Sequence, residues 1–232
     1  MIGVYDYTVI LTYLSLLSAG SGIFVCLSGT GHPFMGIFFL LFCGLCDAFD
    51  GKVAQTKKNR TDTERKYGIQ IDSLSDIVAF GVLPACIGMA FIRVSPMMQS
   101  IIGPDCNRWY NNVTRVAVFG VLALYILTAL IRLAYYNVTE EERQETEDGT
   151  RKYYLGLPVT SAAIVFPFIS LLLYVIPTDV TLLYIFMVAL LAVLFIVPFQ
   201  LRKVGLKGIL VFVGIGAVEF IIILILTLQH SV

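Results

Sequence analysis

Four aspartates in one short stretch have the residue type and spacing of a site that binds divalent cations. The stretch 47–76 contains Asp47, Asp50, Asp72 and Asp76. The first pair belongs to an Asp-x2-Asp-Gly-x2-Ala pattern, and the second pair, after a basic linker, belongs to a Gly-x3-Asp-x3-Asp pattern. If both patterns are helical, each of them places its acids on a single helix face.

Two such helices packed side by side would bring four carboxylates together. Like charges at close range repel each other strongly in a medium of low dielectric constant, so a counter-charge is required. Carboxylate oxygens are hard ligands that suit Mg²⁺, Mn²⁺ or Ca²⁺. The pattern therefore predicts a divalent-cation site, with Mn²⁺ or Mg²⁺ as the first candidates and Ca²⁺ as a further one.

The composition indicates an integral membrane protein. The chain has 232 residues, of which 58% are hydrophobic and 14% charged, and its mean hydropathy is +0.85. Soluble domains are closer to half apolar and carry about a quarter charged residues. The net charge of zero argues against a nucleic-acid partner. No basic region precedes the first apolar run, so we expect no removable signal peptide.

The apolar runs predict an all-α polytopic transmembrane bundle of about six to seven spans, forming one catalytic domain over 1–232. The expected spans are 8–28, 34–57, 67–94, 113–136, one that starts near 153, and two less certain peripheral spans within 180–229. The intervening segments 57–66, 95–112 and 139–152 are predicted loops, and Pro84 is expected to kink the third span. Only 13 residues separate Pro33 from Asp47, too few to cross about 30 Å of hydrocarbon. The acids must therefore lie within the edge of the membrane, where ionisable residues usually mark a functional site.

The basic residues predict which membrane face carries the acids. If the N-terminus is inside, twelve of the 16 Lys and Arg residues fall in inside loops and three in outside loops, while Arg132 lies within a span. Inside loops of membrane proteins are enriched in Lys and Arg. We therefore expect the acidic cluster at the cytoplasmic face.

The two patterns resemble the signature of the CDP-alcohol phosphotransferase family. Seven of its eight positions match: Asp47, Asp50, Gly51, Ala54, Gly68, Asp72 and Asp76. The eighth position holds Gln55 where the family usually has Arg, and the gap from there to Gly68 is long, at 12 residues. A basic residue within this gap is a candidate replacement for the missing Arg.

The resemblance implies a role for each matched residue. Asp47, Asp50 and Asp72 would be the core metal ligands, and Asp76 would be the general base that also touches a second metal. CDP-lipid binding would involve Asp47, Gly51, Ala54 and Gly68. The family is also associated with homodimers, so a homodimer in the lipid bilayer is expected.

Three further patches resemble the phosphatidylserine synthase branch of that family. They lie at 69–86, at 128–137 (which includes ALIRLAYYN) and at 153–163 (which includes YYLGLPVTSAA). This narrower resemblance implies transfer of a phosphatidyl group from CDP-diacylglycerol to L-serine with release of CMP. Arg132 and Lys152 are then the candidates for binding the acceptor.

Two alternatives remain open on the sequence. The four acids act on the shared CDP-lipid, so glycerol phosphate or inositol phosphate could replace serine as the acceptor. A protein of a different class, a transporter with a cation or proton pathway, also uses intramembrane carboxylates. The predicted position of all four acids at one membrane edge, beside a glycine in each motif, favours the enzyme.

Overall fold

The computed structural model describes residues 3–29, 32–103, 109–146, 153–175 and 179–202. Beyond these it describes only Gly214, Val218, Ile221, Ile222 and Ile225. The helices are α1 (Ile10–Leu27), α2 (Pro33–Thr56), α3 (Asp62–Asp76), α4 (Leu83–Val94), α5 (Pro96–Ile102), α6 (Trp109–Thr146), α7 (Ala162–Val175) and α8 (Thr181–Ile196). A π-helical segment, Ile77–Val82, joins α3 to α4 without a break.

The predicted helical membrane bundle is confirmed. Among the described residues, four helical segments are long and apolar enough to cross a bilayer, namely Tyr7–Leu27, Pro33–Thr56, Asp62–Val94 and Trp109–Arg143. Two further apolar helices in the same part of the chain, Val159–Leu172 and Thr181–Ile196, are shorter. The last predicted segment, 206–229, lies almost entirely outside the described residues.

Close packing of α1, α2 and α4 depends on small residues. A Cβ atom at Gly22 would lie 2.9 Å from side-chain atoms of Leu83 and Phe39. One at Gly36 would lie 2.4 Å from the sulfur of Cys26. Membrane helices associate through such contacts because lipid provides little hydrophobic drive between them. Helices α1 and α4 thus pack closely against the N-terminal half of α2, and the C-terminal half of the same helix carries the first two aspartates.

The segment before Pro84 departs from α-helical geometry. The proline has no N–H, so the preceding turn loses one intrahelical donor. The hydroxyl of Tyr125 donates to the carbonyl of Phe80 at 2.6 Å, and that of Tyr184 donates to the carbonyl of Pro84 at 2.8 Å. The irregularity expected at Pro84 thus takes the form of a π-helical segment whose carbonyl groups are served by buried tyrosines.

Several of the predicted boundaries are wrong. Helix α3 begins at Asp62, inside the predicted loop 57–66, and the predicted loop 95–112 contains α5 and the first residues of α6. The loop expected over 139–152 is helical as far as Thr146, because α6 continues ten residues past the predicted end of its span. The fifth span was expected to begin near 153, but Tyr153–Leu155 (β1) pairs antiparallel with Gln200–Arg202 (β2), and α7 begins only at Ala162. Pairing between residues so far apart in the chain leaves no local sequence signal.

Candidate active site

The start of α2 determines how far along the helix the first two aspartates lie. His32 caps it, since the imidazole Nδ1 accepts from the backbone N–H of Phe34 at 3.4 Å, and Pro33 occupies the first turn. Proline is favoured there because its missing N–H would have no helical partner. The helix then runs 24 residues to Thr56, which places Asp47 and Asp50 in its C-terminal half.

A capping box sets the start of α3. The backbone N–H of Glu64 donates to the Thr61 hydroxyl at 3.2 Å, and the Thr61 N–H donates to the Glu64 carboxylate at 2.9 Å. Two free donors at the helix start are satisfied in this way. Asp72 and Asp76 consequently fall in the last turns of α3, just before the π-helical segment.

Three of the four aspartates converge. One carboxylate oxygen from each of Asp47, Asp50 and Asp72 lies within 4.8 Å of the others. Asp76 is outside this group, one turn further along α3, and is buried like Asp50 at 8% exposure. The carboxylates of the other three still lie within electrostatic range of Asp76.

This cluster has the donor chemistry of a hard-cation site. In the part of the chain that the structure describes, no lysine or arginine forms an ion pair with any of the four acids. The side chain of Asp50 accepts from the backbone N–H of Gly51, a neutral contact that leaves its charge uncompensated. Three carboxylates at this separation match the oxygen donors that Mg²⁺, Mn²⁺ and Ca²⁺ prefer. The residues therefore fit the metal that the sequence predicts.

The two signature glycines differ in their surroundings. Gly51 has no atom within 4 Å of the position a Cβ would take, so the face of α2 beside Asp50 is open. At Gly68 the corresponding position lies 2.6 Å from a guanidinium nitrogen of Arg60. Ala54 is half-buried. The space for a ligand is therefore open at Gly51, whereas Arg60 covers Gly68.

Helix α6 contributes polar groups beside α3. The amide of Asn137 donates to the hydroxyl of Ser73 at 2.7 Å, and Ser73 directly follows Asp72. Because Tyr125 of α6 contacts Phe80 and Asn137 contacts Ser73, the two helices run antiparallel. Arg132 therefore lies on α6 at about the level that Asp76 occupies on α3.

The turn before α7 holds Arg132. Its Nε donates to the carbonyl of Leu157 at 3.2 Å, its guanidinium lies 5.6 Å from the ring centroid of Tyr136, and its exposure is 7%. Gly156 has a φ of +79°, and a Cβ there would lie 3.4 Å from Nε of Arg132. Glycine is needed because it adopts this conformation without strain and lets the guanidinium approach. Lys152, the other acceptor candidate, lies outside the described residues.

The N-terminal segment is fastened to the α2–α3 connection at the same end of the bundle. Lys57 donates to Asp6 at 2.6 Å and to Glu64 at 3.0 Å. The hydroxyls of Tyr13 and Tyr67 lie 2.9 Å apart. The hydrogen bond from Lys57 holds the pKa of Asp6 below its usual value. These contacts anchor the chain on both sides of the connection.

Sequence patterns did not single out two residues near the cluster. Arg60 is one of several basic residues in a polar linker, and only its contact with Gly68 sets it apart. Asn137 ends an apolar run and resembles an ordinary helix-end residue until its bond to Ser73 is seen.

Comparison with known proteins gives consistent matches. The CDP-alcohol phosphatidyltransferase family matches residues 8–199. A CDP-diacylglycerol–serine O-phosphatidyltransferase of Saccharomyces cerevisiae is 31% identical over 163 residues, covering 66% of this chain and 50% of the yeast protein. An enzyme of the same name from Helicobacter pylori is 29% identical over 120 residues, which are 52% of this chain and 39% of that one.

An archaeal relative extends this set. The archaetidylserine synthase of Methanothermobacter thermautotrophicus is 30% identical over 152 residues, covering 65% of this chain and 53% of its own. The chain thus spans about half the length of the curated relatives it matches, or less. The family match covers most of the chain and includes all four aspartates. The chain belongs to the CDP-alcohol phosphatidyltransferase family.

Proposed function

We propose that this protein transfers the phosphatidyl group of CDP-diacylglycerol to L-serine, giving phosphatidylserine and CMP. The observation that carries the proposal is the convergence of Asp47, Asp50 and Asp72 within 4.8 Å, with Asp76 one turn away. The names of the three relatives above share serine as the acceptor, while the archaeal name differs in the lipid. This common feature favours serine over glycerol phosphate or inositol phosphate.

Asp47, Asp50 and Asp72 would hold the divalent cation, Mn²⁺ or Mg²⁺, with Asp76 close enough to reach a second ion. Such a cation neutralises charge on the diphosphate and on the departing phosphate. The open face at Gly51 leaves room for the nucleotide beside these ligands. Ala54 and Gly68 would line the CDP-lipid site on either side of the α2–α3 connection.

Asp76 is the proposed general base. The hydroxyl oxygen of serine attacks the phosphorus that bears the diacylglycerol, the bond from that phosphorus to the CMP oxygen breaks, and CMP leaves. The hydroxyl proton passes to the Asp76 carboxylate. A position outside the group of three ligands supports this role, since a carboxylate that is free of the first cation can accept a proton.

Arg132 is the proposed partner of the serine carboxylate. A guanidinium binds a carboxylate through two parallel hydrogen bonds, and these are stronger where water is excluded. Arg132 is buried, is oriented by Leu157, and lies at about the level of Asp76 along the bundle. Lys152 stays a second candidate for the acceptor site.

The described helices pack around one core, which supports a single catalytic unit over 1–232. The distribution of basic residues supports an active site at the cytoplasmic face, where L-serine is available to a membrane-bound CDP-lipid. The homodimer stays a prediction.

The test is CMP release by the purified protein in detergent with CDP-diacylglycerol and Mn²⁺ or Mg²⁺. L-serine, glycerol 3-phosphate and inositol 1-phosphate are supplied separately, and the lipid product is identified by mass spectrometry. We expect release only with serine. Release with another alcohol alone would overturn the acceptor, and no release with any of the three would overturn the proposed chemistry.

A further inference from the structure

Arg60 occupies a fixed position at the end of the α2–α3 connection. It is the residue before Thr61, whose capping box sets the start of α3. One guanidinium nitrogen, Nη2, donates to the backbone carbonyl of Glu64 at 3.3 Å. The guanidinium of Arg60 therefore lies beside the first turns of α3, although Arg60 itself belongs to the polar linker that precedes this helix.

The guanidinium lies on the helix face that leads to the acids. Glu64, Gly68 and Asp72 follow one another at intervals of four, which places them on one side of α3. Nη2 of Arg60 fills the space where Gly68 would carry a side chain, 2.6 Å from the Cβ position. Gly68 precedes Asp72 by about 6 Å along the helix axis. A diphosphate held by a cation at Asp72 can reach across that interval.

Arg60 also has a hydrogen-bond donor that no described residue uses. Its Nε is buried and has no hydrogen-bond partner among the described residues. Buried N–H groups are nearly always paired in native structures, so one without a protein partner points to a ligand. The neighbouring cations differ: Lys57 is engaged by Asp6 and Glu64, and Arg65 and Lys66 are exposed.

We propose that Arg60 binds the diphosphate of the CDP-lipid and so supplies, from the connection, the cation that α2 lacks at Gln55. The proposal rests on the proposed function for the nature of the ligand. Phosphate oxygens would accept hydrogen bonds from Nε and Nη1 of Arg60, while Nη2 continues to donate to the backbone carbonyl of Glu64. Arginine suits this task because its planar donors match phosphate oxygens in pairs.

The test measures the Kd of CDP, used as a soluble probe, in the presence of Mn²⁺ for the purified full chain. Arg60→Gln is expected to weaken CDP binding about 10- to 100-fold, the usual range for loss of hydrogen bonds to a charged group. Mn²⁺ binding, followed by electron paramagnetic resonance, is expected to stay unchanged. Arg65→Gln, which removes an exposed arginine from the start of α3, is the matched control and should leave the Kd of CDP unchanged.

A double-mutant cycle with Gly68→Ala examines the contact itself. The added methyl group would displace the guanidinium, so Gly68→Ala should weaken CDP binding in the wild type and have little further effect in Arg60→Gln. Fully additive losses would contradict the inference, as would an Arg60→Gln variant that loses thermal stability but keeps the wild-type Kd. A wild-type protein that binds Mn²⁺ and CDP yet transfers nothing to serine would contradict the proposed function. It would not contradict the proposed role of Arg60 in binding the diphosphate.

Discussion

Asp72 and Asp76 have no ion-pair partner among the described residues, whereas the carbonyls of Phe80 and Pro84 each accept a tyrosine hydroxyl. All four residues lie on the continuous helical segment Asp62–Val94, with about two turns between Asp76 and Pro84. A buried polar group without a partner costs free energy, and a buried charge costs more. The same segment therefore has hydroxyl donors for its carbonyls near Pro84 but, among the described residues, no basic partner for its aspartates at the cluster.

The difference distinguishes two kinds of irregularity in one helix. The π-helical segment and Pro84 are structural features, and the carbonyls of Phe80 and Pro84 accept tyrosine hydroxyls from α6 and α8. The aspartates have no basic partner among the described residues, and acids of this type and spacing are recognisable from the sequence alone. The predictions that follow alter one region or the other.

The largest effect is expected from the proposed cation ligands. Asp72→Asn should lower serine-dependent CMP release about 1,000-fold, because the metal contributes several kcal/mol of transition-state stabilisation. The assay is initial-rate CMP release at saturating CDP-diacylglycerol and Mn²⁺. The fold should survive, since the substitution removes a repelling charge, and detergent gel filtration checks this. Activity within a few-fold of wild type would contradict the assignment.

Asp76→Asn should separate chemistry from binding. We expect kcat to fall about 100- to 1,000-fold, within the usual contribution of a general base, while the Kd of CDP with Mn²⁺ changes little. Steady-state kinetics and a CDP titration measure the two quantities on one preparation. Equal losses in both would show that Asp76 acts as a metal ligand instead.

A substitution in the region around Phe80 and Pro84 should lower the stability of the fold and leave cation binding unchanged. Tyr125→Phe keeps the ring that packs on Phe166 but removes the hydroxyl donor to Phe80. The free energy of unfolding should fall by about 1–3 kcal/mol, since a buried carbonyl loses its partner. Thermal unfolding in detergent measures it. Tyr135→Phe, at a residue that is 51% exposed, is the control and should have no effect.

Much of this contrast was predictable, and the exceptions have a common cause. The bounds of α2 and the faces of α2 and α3 follow from Pro33 and from the spacing of the aspartates, which are local signals. The bond of Asn137 to Ser73 and the pairing of Tyr153–Leu155 with Gln200–Arg202 depend on distant segments. The contact of Arg60 with Gly68 spans only eight residues, but it depends on how the arginine side chain packs against α3. Tertiary packing decides such contacts, so a single sequence does not reveal them.

The smallest effect is expected at the N-terminal anchor. The hydrogen bond from Lys57 lowers the pKa of Asp6 in the folded protein, so this contact stabilises the fold above the usual value of 3.8 and is lost as pH falls through the lowered pKa. Asp6→Asn should therefore lower Tm slightly at pH 7. The difference from wild type should shrink below pH 3.8, and a difference that stays constant with pH would contradict this origin.

Binding of Mn²⁺ tests most directly whether the unpaired aspartates form the functional centre. Electron paramagnetic resonance reports free Mn²⁺, so a titration of the purified protein gives the affinity in the absence of any substrate. Wild type and Tyr125→Phe should bind Mn²⁺ equally well, and Asp72→Asn should bind at least about 10-fold more weakly. Equal binding by wild type and Asp72→Asn would contradict the account.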